Sequence, residues 1–227
     1  HRGIVQAGDR GRGRRQVLTM RCGKIVCVGQ NYREHVREMR SAEPTEPVLF
    51  LKPATALIGD GDPIRIPAGI GTVHHEVELA LIIGTGGRDI EERKALAHVS
   101  HAAVFNDVTA RDMQAAARRA GLPWALAKGI DTFAPMGAPV PLERIQDVHA
   151  LGLELRVNGE RRQKGSTAQM IFPPEALISY ISRFMTLEPG DIIATGTPSG
   201  VGPLVPGDVV EAMVDEAGAV RNPVEGR

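Results

Sequence analysis

Short apolar runs closed by turn chemistry set the limits on how this chain can fold. They are KIVCV (24–28), VLFL (48–51), EVELALII (76–83), HAAVF (101–105), LELRV (153–157), DIIAT (191–195) and DVVEAMV (208–214). Each is the length of a strand rather than a helix, and each is rich in branched aliphatic residues. With 26 glycines and 16 prolines in 227 residues, turn residues recur too often for a helical bundle. Asn158-Gly159 after LELRV is the strongest short hairpin signal.

Helical patterns are fewer. NYREHVREM (31–39) suits a short helix. Thr109-x-x-Asp112 reads as a capping box, with Gly121 as the residue that closes that helix. Pro173-Pro174 precedes EALISYISRFM, where Leu177, Ile178, Ile181, Phe184 and Met185 form an apolar stripe. The helix then stops at Glu188-Pro189-Gly190-Asp191. Neither an internal repeat nor a strand–helix alternation of doubly wound type is present. The expected class is α+β, strand-dominated, with a few short helices.

Charge narrows the function. The chain carries 27 basic and 27 acidic residues. Residues 1–19 hold five arginines and one aspartate, which leaves 22 bases against 26 acids in 20–227. An acidic body with 4% aromatic residues lacks the basic footprint and the stacking rings of a nucleic-acid binder. The longest run free of charge, 192–207, is full of Gly and Pro, so no membrane-spanning helix is expected. Segment 1–19 has no apolar core of a secretory signal; it reads as a basic, disordered extension ahead of a start at Met20. Residues 20–227 then form one domain. Cys22 and Cys27, spaced C-x4-C, read as reduced thiols, Cys27 in the core, which suits a cytoplasmic protein.

The richest chemistry lies in Val73-His74-His75-Glu76-Val77-Glu78-Leu79. On a strand, period two puts Glu76 and Glu78 on one face, about 6–7 Å apart at the backbone. Val77, Leu79 and Leu81 then face the core. Asp107, at the end of HAAVF, offers a third carboxylate. Three carboxylates without thiolates describe a site for a hard cation, Mg²⁺, Mn²⁺ or Ca²⁺. The zincin pattern fails, because Leu79 stands where its second histidine belongs. Lys128 is a lone base in an apolar stretch, suited to offset carboxylate charge. Arg111 and Gln114 share a helix face just beyond Asp107. His35 and Glu38, at the same i, i+3 spacing, pair an imidazole with a carboxylate that fixes its tautomer. Two glycine-rich stretches, 84–89 and 195–202, break the dinucleotide and P-loop patterns, although the second follows a strand and its amides are placed to line a pocket.

VGQNYREHVREM, EPVLFLKP, HHEVELALIIG, NDVTARDMQ, GLPWALAKGID, QMIF and GDIIATGTPSGVGP together resemble the fumarylacetoacetate hydrolase family. The similarity is to its short, single-domain branch of acylpyruvate hydrolases and oxaloacetate decarboxylases, and it runs from about residue 24 to 211. It implies a mixed β-sandwich roll and a homodimer. It implies one Mg²⁺ or Mn²⁺ per subunit on Glu76, Glu78 and Asp107. His35 and Glu38 match the catalytic dyad on a lid, and Lys128 matches the lysine beside the metal. Arg111, Gln114 and Thr197 match contacts to a 2-oxo acid. Gln30 stands where relatives often carry Arg or Leu, and Lys164 where they often carry an acid. The expected activity is hydrolysis of a C–C bond in a 3-acylpyruvate-type 1,3-diketo acid by His–Glu activated water. Oxaloacetate decarboxylation, or tautomerisation or isomerisation of a 2-oxo diacid, needs the same site. A non-catalytic module for a metal and a dicarboxylate is the further alternative.

Overall fold

The computed structural model describes residues 20–227 together with the two-residue strand Ile4–Val5, which pairs antiparallel with Met20–Arg21. The rest of the extension expected to be disordered lies outside the described residues. Along the chain run β1 (Ile25–Gly29), α1 (Arg33–Glu38), β2 (Val48–Lys52), β3 (Ile64–Ile66), β4 (Val73–His75), β5 (Val77–Ile83) and β6 (Val99–Asn106). Then follow β7 (Thr109–Ala110), α2 (Arg111–Arg119), α3 (Ala125–Lys128), β8 (Val140–Pro141), β9 (Gly152–Val157) and β10 (Glu160–Ser166). The last elements are α4 (Pro174–Phe184), β11 (Ile192–Ala194), β12 (Gly202–Leu204), β13 (Val209–Val214) and β14 (Gly218–Gly226).

A six-stranded sheet has the order β8-β6-β5-β11-β1-β2, antiparallel except for the parallel pair β11–β1. A five-stranded sheet has the order β10-β9-β13-β14-β3, antiparallel except for β14–β3. The main core lies between them. Val26, Leu79, Leu81, Val104 and Ile193 from the first sheet meet Leu155, Val157, Val210 and Ala212 from the second. Leu177, Ile178 and Ile181 of α4 join the same core. The strand-dominated, mixed-sheet fold expected from the sequence is the fold observed.

Several local expectations hold for the reasons given. Asn158 and Gly159 take φ of 53° and 81°, and Val157 pairs with Glu160 across a two-residue turn. Pro174 opens α4 at its first turn. Gly121 sits at φ 66° just past α2. Cys22 and Cys27 are unpaired and buried.

Three expectations are corrected. Glu76 does not lie within one strand running 76–83: the chain breaks there, with β4 in a separate three-stranded sheet, β7-β4-β12, and β5 in the large one. The opposite face of β5 is also covered, because Ala80 and Ile82 belong to a second core with Cys27, Ala103, Phe105 and Ala194. Thr109 does not cap α2. Its hydroxyl donates to the Asp107 carbonyl, and Asp112 accepts from the Thr72 amide at 2.8 Å, because the residue just before β4 offers a free donor alongside. Phe184 is 63% exposed; its ring lies tilted against Tyr180 at the end of α4, with Arg183 over both rings.

Leu81 is fully buried in the central strand β5, whereas Leu51 on the edge strand β2 is 49% exposed. Leu81→Ala is expected to lower unfolding free energy by about 2–5 kcal/mol, through lost burial and a residual cavity. Leu51→Ala should cost less than about 1 kcal/mol. Urea titrations of the two variants check this; equal costs would refute the assignment of the core.

Candidate active site

The break at Glu76 is what builds the site. In the antiparallel β5–β6 pair, Val77 faces Asn106 and Glu78 faces Phe105. Glu76 and Asp107 therefore leave the sheet at the same end, joined by an Asp107 amide to Glu76 carbonyl bond of 2.8 Å. The Glu76 amide donates to Asn106 Oδ1 at 3.0 Å. The carboxylates of Glu76, Glu78 and Asp107 offer oxygens all within 4.8 Å of one another, and all three residues are buried.

Cations surround this cluster unevenly. Lys128, 2% exposed at the end of α3, donates Nζ to Glu76 Oε2 at 2.9 Å and to Asp107 Oδ2. Lys52, at the end of β2 and 1% exposed, donates to Asp107 Oδ1 at 2.6 Å and to the Val108 carbonyl at 3.0 Å. Arg111 reaches Glu76 Oε1 through Nη2 and Gln114 Oε1 through Nη1 at 2.6 Å. Its Nε points to His74 Nδ1 at 3.2 Å. Burial, and then the Arg111 charge, push His74 down to about 4, so it is a neutral acceptor at pH 7.

Glu76 and Glu78 respond in opposite directions. Burial raises the Glu76 carboxyl, but Lys128, Arg111 and His35 outweigh it and hold the group well below the usual range. Glu78 is raised well above the usual range by burial, then by Asp107 and Glu76. Its partner is the Gly196 amide at 2.8 Å, and it makes no ion pair among the described residues. Buried carboxylates are normally paired or bound to metal. An all-oxygen set with one carboxylate short of positive charge fits a divalent hard cation.

Helix α1 brings His35 to the same pocket as these acids. His35 Nδ1 lies 2.9 Å from Glu38 Oε2, with His35 buried. Glu38 accepts in turn from the Gly200 amide at 3.1 Å. The 195–202 loop thus bonds one acid of the cluster through Gly196 and the acid of the dyad through Gly200. Both glycines have φ near 95°, and a Cβ on Gly200 would stand 2.4 Å from the Arg162 carbonyl oxygen. Thr197 donates its hydroxyl to the Val77 carbonyl at 2.8 Å and accepts from Gln163 at 2.9 Å.

One pocket unites His35, Glu76, Glu78, Asp107, Arg111, Gln114, Lys128 and Thr197. Glu38 stands behind His35. Gln30 lies at the mouth with φ of 60°, while Lys164 is exposed on β10, away from the pocket. Two buried residues of the site were not anticipated. Lys52 ends an apolar run just before Pro53, a weak signal that a charge turns inward. Gln163 accepts from the Val77 amide and His75 while donating to Thr197 and the Pro198 carbonyl. Nothing in the polar run ERRQKGS marks it out.

A strand-rich fold holding three buried carboxylates in one pocket with a His–Glu pair fits a class of enzymes with a divalent-cation site. Residues 24–225 match the family model described as fumarylacetoacetate (FAA) hydrolase C-terminal. The chain belongs to the fumarylacetoacetate hydrolase family. It is 52% identical over 190 residues to the mitochondrial oxaloacetate tautomerase FAHD1 of Bos taurus, covering 84% of this chain and 86% of that one. Fumarylpyruvate hydrolase from Pseudomonas aeruginosa, solved in complex with Mn²⁺ and pyruvate, superposes with a TM-score of 0.92 at 33% identity, covering 100% of this chain and 97% of that one. 5-Carboxymethyl-2-hydroxymuconate delta-isomerase from Mycobacterium smegmatis gives 0.82 at 40% identity, covering 92% and 81%.

Lys52 carries a testable consequence. Lys52→Met leaves Asp107 Oδ1 buried without its cation, and breaking such a pair typically costs about 3–5 kcal/mol. Urea unfolding of the metal-free protein should show a loss in that range, and a loss below about 1 kcal/mol would remove Lys52 from the cluster's support.

Proposed function

We propose that the protein catalyses keto–enol tautomerisation of a 2-oxo diacid of the oxaloacetate type, with a divalent cation held by Glu76, Glu78 and Asp107. The observation that carries this reading is the single pocket in which the carboxylate cluster meets the His35–Glu38 pair. The sequence alone ranked C–C hydrolysis first; the 52% identity to an oxaloacetate tautomerase moves proton transfer ahead. A bound Mg²⁺ or Mn²⁺ would supply Lewis-acid polarisation of the 2-oxo acid.

The chain's own residues do the rest. Glu38 holds His35 through Nδ1, which leaves Nε2 for the substrate. His35 takes a proton from C3 of the keto form. The C–H electron pair becomes the C2–C3 double bond, the carbonyl pair moves to O2, and O2 takes a proton to give the enol. Arg111, Gln114 and Thr197 orient the 2-oxo acid. Lys128 offsets the negative charge that gathers between substrate and acids.

Acylpyruvate hydrolysis is the second reading, favoured by the likeness to fumarylpyruvate hydrolase. There His35 takes the proton from a water that attacks the distal carbonyl, and the pyruvate enolate departs. We further propose that the working unit is a homodimer. Buried, unpaired Cys22 and Cys27 suit a reducing compartment, cytoplasm or mitochondrial matrix alike.

The cation assignment is tested by stability. Mn²⁺ at about 100 times its dissociation constant should add about 2.7 kcal/mol to the wild type. Glu78→Gln should lose most of that gain, and its metal-free form should stay close to the wild type, since burial and the neighbouring acids already oppose ionisation of Glu78 there and a neutral amide of the same shape replaces it. Thermal unfolding with EDTA and with Mn²⁺ reads both, and an undiminished Mn²⁺ gain would refute Glu78 as a ligand. For the chemistry, His35→Ala should slow oxaloacetate tautomerisation, followed by enol absorbance, by about 10²–10⁴-fold while keeping the Mn²⁺ stabilisation. Parallel assays on acetylpyruvate and fumarylpyruvate rank the two readings. Unchanged tautomerisation in the variant sinks the role of His35.

A further inference from the structure

The pocket changes character along α2. Arg111, Gln114 and Arg118 fall at i, i+3 and i+7, so they form one stripe of that helix, and all three line the pocket. Arg111 and Gln114 lie at the acid end. Arg118 lies two turns on, about 10 Å farther along the helix axis. Phe50, Trp124 and Met39 add apolar surface to the same pocket, with the Phe50 and Trp124 ring centroids 5.7 Å apart and Lys128 Nζ 4.7 Å from the Phe50 centroid.

Arg118 differs from the other cations of the pocket. Lys128 and Arg111 are both bound to carboxylates of the cluster. Arg118 makes no ion pair among the described residues. Its Nη2 donates to Ser41 Oγ at 2.9 Å, just beyond α1. That bond steadies the guanidinium and leaves most of its five N–H groups free. The pocket therefore combines an oxygen-rich cluster, apolar ring surface beginning at Lys128 and, two helical turns beyond Arg111, an unpaired planar cation.

A ligand complementary to that combination carries a 2-oxo acid at one end, a short hydrocarbon chain and an anion at the other. We propose that Arg118 is a specificity-determining residue that binds the distal carboxylate of a 2-oxo diacid. A guanidinium fork matches a carboxylate in shape as well as charge. The inference rests on the 2-oxo acid reading given above, and it names the feature that separates diacids from monoacids at the same site.

The test uses 2-oxoglutarate and 2-oxopentanoate, which share a five-carbon chain and differ in a terminal carboxylate against a methyl group. Calorimetric titration of the Mn²⁺-loaded full chain should show the diacid bound about 10- to 100-fold more tightly, the span expected of a charge-assisted hydrogen bond. Arg118→Gln should abolish the preference by weakening the diacid alone, and Arg118→Lys should restore part of it. The Mn²⁺ shift in thermal unfolding confirms that each variant is folded and keeps its cation site. A preference that survives in Arg118→Gln, or an equal loss for both ligands, overturns the role of Arg118 and leaves the 2-oxo acid reading standing. Failure of both ligands to bind the loaded wild type overturns that reading and the inference with it.

Discussion

Three carboxylates buried within 4.8 Å of one another are the constraint on which the rest of this structure depends. At an effective dielectric near 20, two unit charges at that separation repel by about 3 kcal/mol. Three such pairs approach the whole stability of an ordinary domain, about 5–15 kcal/mol. The fold supports them because Lys52, Lys128 and Arg111 converge from β2, α3 and α2. Compensation falls on Glu76 and Asp107 and passes over Glu78, which makes one amide hydrogen bond and no ion pair among the described residues. The imbalance is local and points at one place in the cluster, where a further positive charge lowers the energy of the site.

The 195–202 loop links that electrostatic problem to α1. Gly196 bonds Glu78, Thr197 bonds the strand that carries it, and Gly200 bonds Glu38. Ser199 lies 3.5 Å from Glu34 on the same helix. Gln163 clamps the loop from below by joining Thr197 and Pro198 to the Val77 amide. A movement of this loop therefore acts on the acid cluster and the dyad together. Its freedom from charge, visible in the sequence as the 192–207 run, is what allows neutral backbone amides to sit between two sets of acids without competing ions.

The strands were legible because their physics is local. Apolar runs of four to eight residues, bounded by glycine, proline and Asn-Gly, became strands with boundaries close to those expected. The acid cluster was legible in part: alternation placed Glu76 and Glu78 together, while Asp107 was placed by its position at a strand end. What stayed hidden depends on contacts between distant segments. The chain break at Glu76 arises from the pairing of β4 with β7 and β12, which no local pattern encodes. Thr109 lost its capping role to the Thr72–Asp112 bond. Lys52 and Gln163 read as ordinary polar residues because their value lies in partners roughly 55 and 35 positions away.

On the proposed reading the chemistry follows from which proton meets His35. The dyad is indifferent to whether the proton comes from carbon or from water; a base held at Nδ1 by a carboxylate serves both. A substrate whose C3 bears a carboxylate offers an acidic C–H and no electrophilic distal ketone, so proton transfer and loss of that carboxylate are open to it and hydrolysis is not. A substrate whose C3 bears an acyl group offers that ketone, and water then takes the place of the C–H donor. On the proposed reading, selection between the two falls to the remaining groups that line the pocket, Phe50, Trp124, Met39 and Arg118, rather than to the acids and the histidine. On this argument one arrangement of acids and histidine can serve hydrolysis, tautomerisation and isomerisation alike, with the choice among them left to the groups that β2, the ends of α1 and α2 and the approach to α3 bring to the rest of the pocket.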